Sequence, residues 1–222
     1  MQNRGMERSA GYAGILGALI FIAVGVIPMP YPPASASAAA IAAYGSSHVV
    51  STTISDWLTF PAVAFIIWFG VGLFDYLRKS TDRDWTLSQW GGTGLVVWGA
   101  ILLIDSALQQ ALVMRNPGGV ATLPALYALV TLLLVFAMGS FGAFAFAVAH
   151  ESHRKSALPQ WLNAFGYLVF AVDLLYTISI FSRFGHTGVD GYGSFVAPLL
   201  SAIWIIMTSA VLLTSLQKAQ KT

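Results

Sequence analysis

Three carboxylates stand in stretches of this chain that are otherwise hydrocarbon. Asp56 lies in "VVSTTISDWLTFPAVAFIIW", Asp105 in "VVWGAILLIDSALQQALVMR" and Asp173 in "WLNAFGYLVFAVDLLYTI". Each has polar company at helical spacing. Gln109 is four residues beyond Asp105 and shares its helix face. Tyr176 and Thr177 stand three and four residues beyond Asp173, and Thr52, Thr53 and Thr59 surround Asp56. A carboxylate inside a bilayer costs about 2.5–3.5 kcal/mol on the insertion scale. It therefore holds a proton, faces water or holds a cation. Mid-span there is no lysine or arginine to act as partner. The nearest are Arg115 and Arg183, each ten residues along its helix, about 15 Å by helix rise.

The chemistry open to such a set is binding. If the faces converge, Asp56, Asp105, Gln109, Asp173, Tyr176 and Thr177 line an acidic pocket for a proton, a cation or an amphipathic molecule. Asp105 and Asp173 are then the essential groups, Gln109, Tyr176 and Thr177 orient the ligand, and Asp56 sits at the entrance. A plainer reading uses the same residues. A protonated aspartic acid bonded across helices to Gln109, Ser106 or Tyr176 holds a bundle together, and an acid of this kind can also meet another subunit. The sequence leaves these readings open.

The elements that must position these groups follow from composition. Of the 222 residues, 57% are hydrophobic and only 9% are charged, against about 25% charged in soluble domains. This is an all-α polytopic membrane composition. A net charge of +2 gives no reason to expect nucleic-acid binding. With no cysteine, disulfides, thiolate metal sites, iron–sulfur clusters, a catalytic cysteine and a lipobox anchor are excluded.

A spanning helix needs roughly 20 apolar residues. Six segments qualify, near 11–28, 51–78, 90–113, 123–149, 160–181 and 195–216, within one domain over 1–222. "PMPYPP" stops the first, because proline cannot continue a helix. "RNPGG" separates the third from the fourth. Thr122 and Pro124 suit a helix start, as do Pro159 and Pro198. Arg4 and Arg8 before an apolar run, with "ASASA" after it, imitate a signal peptide. The run is longer than a signal core and reads as a retained first helix. The uncharged "ASASAAAIAAYGSSH", Ala34 to His48, predicts a short helix on the outer surface.

Orientation follows from Lys and Arg. Arg4, Arg8, Arg78, Lys79, Arg83, Arg154, Lys155, Lys218 and Lys221 fall on one side, and Arg115 and Arg183 on the other. The positive-inside rule then places both termini in the cytoplasm. Trp85, Trp90 and Trp161 become inner-interface anchors and Trp57 an outer one. Counted from these anchors at about 1.5 Å per residue, Asp56, Asp105 and Asp173 fall at successive depths in the outer half.

Other signals are weaker. His150, Glu151 and His153 in "HESHRK" have metal-ligand spacing but read as a solvated helix end. His48 and His186 are external. "SRFGHTGVDGYGS", Ser182 to Ser194, is a Gly-rich outer loop that reads as a connector or a lid. "GGTG" at 91–94 lacks the Lys-Ser/Thr of a phosphate loop. Gly11, Gly14 and Gly17 form one packing stripe, and Gly139 with Ala143 a small-xxx-small pair. Phe136, Phe141, Phe144 and Phe146 read as lipid-facing or core positions. No histidine or lysine lies mid-membrane, which argues against a bis-histidine haem and a retinal Schiff base.

"AGYAGILGALIFIAVG", "AAAIAAYGSSH", "FGVGLFDYLRK" and "ALPQWLNAFGYL" together resemble the DUF4386-like proteins, small multipass membrane proteins of bacteria, actinobacteria above all. The resemblance spans nearly the whole chain and implies the six-helix topology. That group carries no established activity, so no functional residue transfers from it.

The expected function is a membrane protein that binds or passes a small ligand, cation or proton through an outward-facing acidic pocket. The alternative is a non-catalytic accessory subunit of a larger membrane complex. An enzyme ranks third, and no catalytic residue, metal ligand or cofactor is assigned. The partners expected are the lipid bilayer and either other membrane chains or further copies of this one. The bacterial cytoplasmic membrane is the expected location.

Overall fold

A computed structural model describes residues 4–29, 31–33, 36–78, 86–115, 122–179 and 193–218. Lys79, Arg83, Trp85, Asn116 to Gly119, Lys221 and the segment from Ser182 to Tyr192, with Arg183 and His186, lie outside the described residues.

Seven helices and no strand make up the described residues: α1 Arg4–Val26, α2 Ala38–Ser47, α3 Val49–Arg78, α4 Thr86–Arg115, α5 Leu123–Lys155, α6 Gln160–Ile178 and α7 Gly193–Lys218. All but α2 are long and apolar enough to cross a membrane. These six correspond to the six expected spans. Each packs on its neighbours in the chain, α1 on α3, α3 on α4, α4 on α5, α5 on α6 and α6 on α7, and α1 meets α7. The six therefore form a closed ring in which consecutive helices run antiparallel.

Small residues set how closely the helices approach. A Cβ on Gly11 would strike Leu213 of α7, and one on Gly14 would strike Ser209 of α7 and Phe69 of α3. One on Gly17 would reach Ile66 at 2.9 Å. The glycine stripe thus wedges α1 between α3 and α7, the close approach that small residues permit in a bilayer. Gly139 plays the same part against Thr177, and Ala143 packs on Gly94 of α4.

From mid-depth toward the end where α1 begins and α7 finishes, the ring is filled by aromatic side chains. Trp98, Phe141, Phe144 and Trp204 are fully buried. Their rings meet edge-on or tilted, with Trp98–Phe141 at 5.6 Å, Phe141–Phe144 at 5.5 Å and Phe144–Trp204 at 5.9 Å between centroids. Such geometry suits the ring quadrupole and joins α4, α5 and α7. Of the phenylalanine run, Phe136 is exposed while Phe141 and Phe144 are core. Phe146 packs on Trp90, Tyr167 and Phe170.

Pro198 lies inside α7 rather than opening it, and two span boundaries depart most from expectation. The first helix begins at Arg4 rather than near 11, and α5 runs to Lys155 rather than 149. The second departure has a clear cause. Glu151 and Lys155 pair across one helical turn at 3.0 Å, and Lys155 Nζ donates to the Leu77 carbonyl at 3.3 Å, capping the end of α3. Glu151 is therefore buried rather than part of a solvated helix end. The helix stops at Ser156, which adopts a left-handed φ of 50°. Ser152 Oγ then accepts from the Leu158 amide at 3.0 Å, and Pro159 opens α6. A non-glycine residue in this conformation is a stop signal that the sequence pattern did not mark.

Candidate ligand-binding site

At the opposite end the ring is hollow. A cavity of about 600 Å³ lies among the C-terminal ends of α1, α4 and α6 and the N-terminal ends of α3, α5 and α7. Its floor rests on Phe21, Leu102 and Leu134, and α2 with Met29, Tyr31, Pro32 and Pro33 contributes to its wall.

Asp56 and Asp105 both line this cavity. They reach it from α3 and α4, whose antiparallel contact brings position 56, early in one, level with position 105, late in the other. Asp56 is 8% exposed and Asp105 5% exposed. Gln109 Nε2 donates to Asp105 Oδ2 at 2.7 Å, the bond its i+4 position allows. The other oxygen, Asp105 Oδ1, is buried with no hydrogen-bond partner, and so is Asp56 Oδ2. Buried carboxylate oxygens are costly to leave unpaired.

Neighbouring polar groups are mostly committed elsewhere. Ser55 Oγ donates to the Val24 carbonyl of α1 at 2.7 Å, and Thr59 Oγ1 donates to the Ser55 carbonyl at 3.1 Å. Gln110, the second amide behind Asp105, turns from the cavity and donates to Thr53 Oγ1 of α3 at 3.1 Å. One glutamine thus serves the acid and the other ties two helices together.

Four of the six residues expected at the site line the cavity: Asp56, Asp105, Gln109 and Tyr176. Asp173 and Thr177 are not among its lining residues. Asp173, wholly buried, lies against Gly142 of α5, and its Oδ2 accepts from Ser201 Oγ of α7 at 3.3 Å. Thr177 Oγ1 donates to the Asp173 carbonyl at 2.8 Å and to the Val135 carbonyl of α5 at 3.3 Å. Both residues serve the α5–α6–α7 contact. A helix turns 100° per residue, so Tyr176 reaches the cavity from a face that its neighbour Thr177 does not share.

Three tyrosines that the sequence reading did not single out complete the wall. Tyr44 comes from α2, Tyr127 from α5 and Tyr31 from the proline-rich connection. Tyr44 OH donates to the Pro28 carbonyl at 2.8 Å, and Tyr127 OH donates to the Pro32 carbonyl at 2.6 Å. These carbonyls come from "PMPYPP", whose prolines lack amide protons and leave carbonyls to be satisfied by side chains. The Tyr44 phenol is pushed up to about 12, first by burial and also by the Asp56 carboxylate. It stays protonated at physiological pH and keeps its bond. The short helix α2 was expected near here. Ser37 caps it by accepting from the Ala40 amide at 3.3 Å, and Ile41 and Gly45 face inward onto the cavity.

No family model matches the chain, and neither a curated protein nor a solved structure matches it.

Proposed function

We propose that this chain is a multipass protein of the bacterial cytoplasmic membrane that binds or passes a small ligand, a cation or a proton through an acidic pocket facing outward. One observation carries the reading. Two nearly buried carboxylates on adjacent helices, each with an oxygen that has no hydrogen-bond partner, line the same cavity of about 600 Å³. A volume in the range of roughly 300–1,000 Å³, walled by apolar groups with a few convergent polar ones, is what small-molecule sites offer. Intramembrane acids of this kind are functional in the first instance. The outward sense rests on charge: Arg8, Arg78, Arg154 and Lys155 all lie at the end away from the cavity, and the positive-inside rule places that end in the cytoplasm. Kinship with the DUF4386-like group belongs to the same proposal.

Native mass spectrometry after gentle extraction tests it. The wild-type chain should carry a small molecule that Leu134→Trp, which fills the cavity, loses. Stoichiometric co-extraction of other chains, with no small molecule in either form, would favour the accessory-subunit reading instead.

A further inference from the structure

We propose that the ligand of this pocket is an amphipathic organic cation, a monovalent ammonium-like head on an apolar body. The inference deepens the pocket reading above and rests on it. Four observations converge. The cavity of about 600 Å³ is far larger than a bare ion requires. Its wall is mainly aliphatic and aromatic, so a ligand that fills it must itself be largely apolar. Asp56 Oδ2 and Asp105 Oδ1 are buried and unpartnered, and no lysine, arginine or histidine among the described lining residues offsets them. An anion placed here would meet two carboxylates and no positive side chain. A positive head beside the two carboxylates relieves their mutual repulsion.

The tyrosines favour an organic cation over a metal ion. Tyr44 and Tyr127 spend their hydroxyl protons on the carbonyls of Pro28 and Pro32. Tyr44 stacks on His48 at 4.4 Å between centroids and lies 6.0 Å from Tyr31. Aromatic faces attract a weakly hydrated organic cation well, the more so when it is desolvated. Calcium or magnesium would need about six oxygen ligands, and no group of three or more metal-ligating side chains occurs among the described residues.

The test uses two probes of the same shape and opposite charge, tetraphenylphosphonium and tetraphenylborate. Each is dialysed to equilibrium against the full chain in lipid nanodiscs, with uptake by empty discs subtracted. Tetraphenylphosphonium should bind saturably, one per chain, and tetraphenylborate should not. Asp56→Asn and Asp105→Asn should each weaken the cation by about tenfold or more, the loss expected for one charge-assisted contact. Ser201→Ala should leave it unchanged. Charge discrimination by the wild-type chain decides the matter even where a variant fails to fold. Equal saturable binding of both probes, or an unaltered cation affinity in both asparagine variants, would overturn the cation assignment. If that binding were still lost in Leu134→Trp, the pocket reading would survive. Saturable binding of neither probe would overturn the cation assignment and count against the pocket as well.

Discussion

The two ends of this bundle solve the same problem in opposite ways. At the terminal end the interior is packed with aromatic rings, and the buried Glu151 finds Lys155 at 3.0 Å. At the other end the interior is empty, and Asp56 and Asp105 each keep an oxygen without a partner. A membrane interior penalises an uncompensated charge at either place. On the proposed reading the acids at the hollow end serve a ligand, whereas Asp173, which also keeps one oxygen unpaired, packs at a helix contact. The Glu151–Lys155 pair shows that the chain can build an internal counter-ion where the space is already full.

The largest effect expected from breaking this contrast is Glu151→Ala. It leaves the Lys155 ammonium nearly buried with no counter-ion, which should cost about 3–5 kcal/mol, read as a lowered midpoint of unfolding in mixed detergent micelles. A loss below about 1 kcal/mol would mean that the pair is effectively solvated. Next is Phe141→Ala, at the centre of the aromatic core. It should cost about 3 kcal/mol, the low end for such truncations, since the unfolded helices remain in lipid. Leu134→Ala, which only widens a cavity already present, should cost clearly less in the same titration.

Asp56→Asn and Asp105→Asn sharpen the comparison by reversing its sign. Removing a charge whose oxygen has no partner should leave stability unchanged or raise it by up to about 2 kcal/mol, within the insertion penalty of a carboxylate. A strong destabilisation measured for either variant would show that its carboxylate is structural after all. The smallest effect belongs to Gln110→Leu, which removes the 3.1 Å bond to Thr53. Interhelical bonds of this kind average about 0.6 kcal/mol, so the shift should be just resolvable.

Much of the fold was legible because its signal is local. Long apolar runs, proline stops and small-residue stripes each report on one helix or one close contact, and they located the six spans and the seat of α1. The site was legible only in part. Asp105 with Gln109 could be read as a pair because both stand on one helix. Whether Asp173 shares their space depends on how α6 is rotated against α5 and α7, and residue spacing along a single helix does not encode that rotation. Gly142 and Ser201 hold Asp173 at a helix contact instead. The tyrosines were passed over for a related reason. A tyrosine near a span end reads as an interface anchor, and nothing local shows that Tyr44 and Tyr127 turn inward to the proline carbonyls. The charge run around Glu151 suggests solvent, whereas its partner Lys155 four residues on lets it sink into the protein.

The closed ring also bears on how the chain assembles. Five of its six helix seams join segments that emerge from the ribosome one after the other, so each new helix can dock on the one inserted just before it. The seam between α1 and α7 joins the helices farthest apart in the chain and, like that between α6 and α7, forms only once α7 has entered the bilayer. Until then the glycine stripe of α1 has one free flank, and any nascent chain cut short before α7 leaves that groove facing lipid. Arrival of α7 and closure of the wall are thus a single event, and a molecule lacking α7 is marked by the open flank of α1.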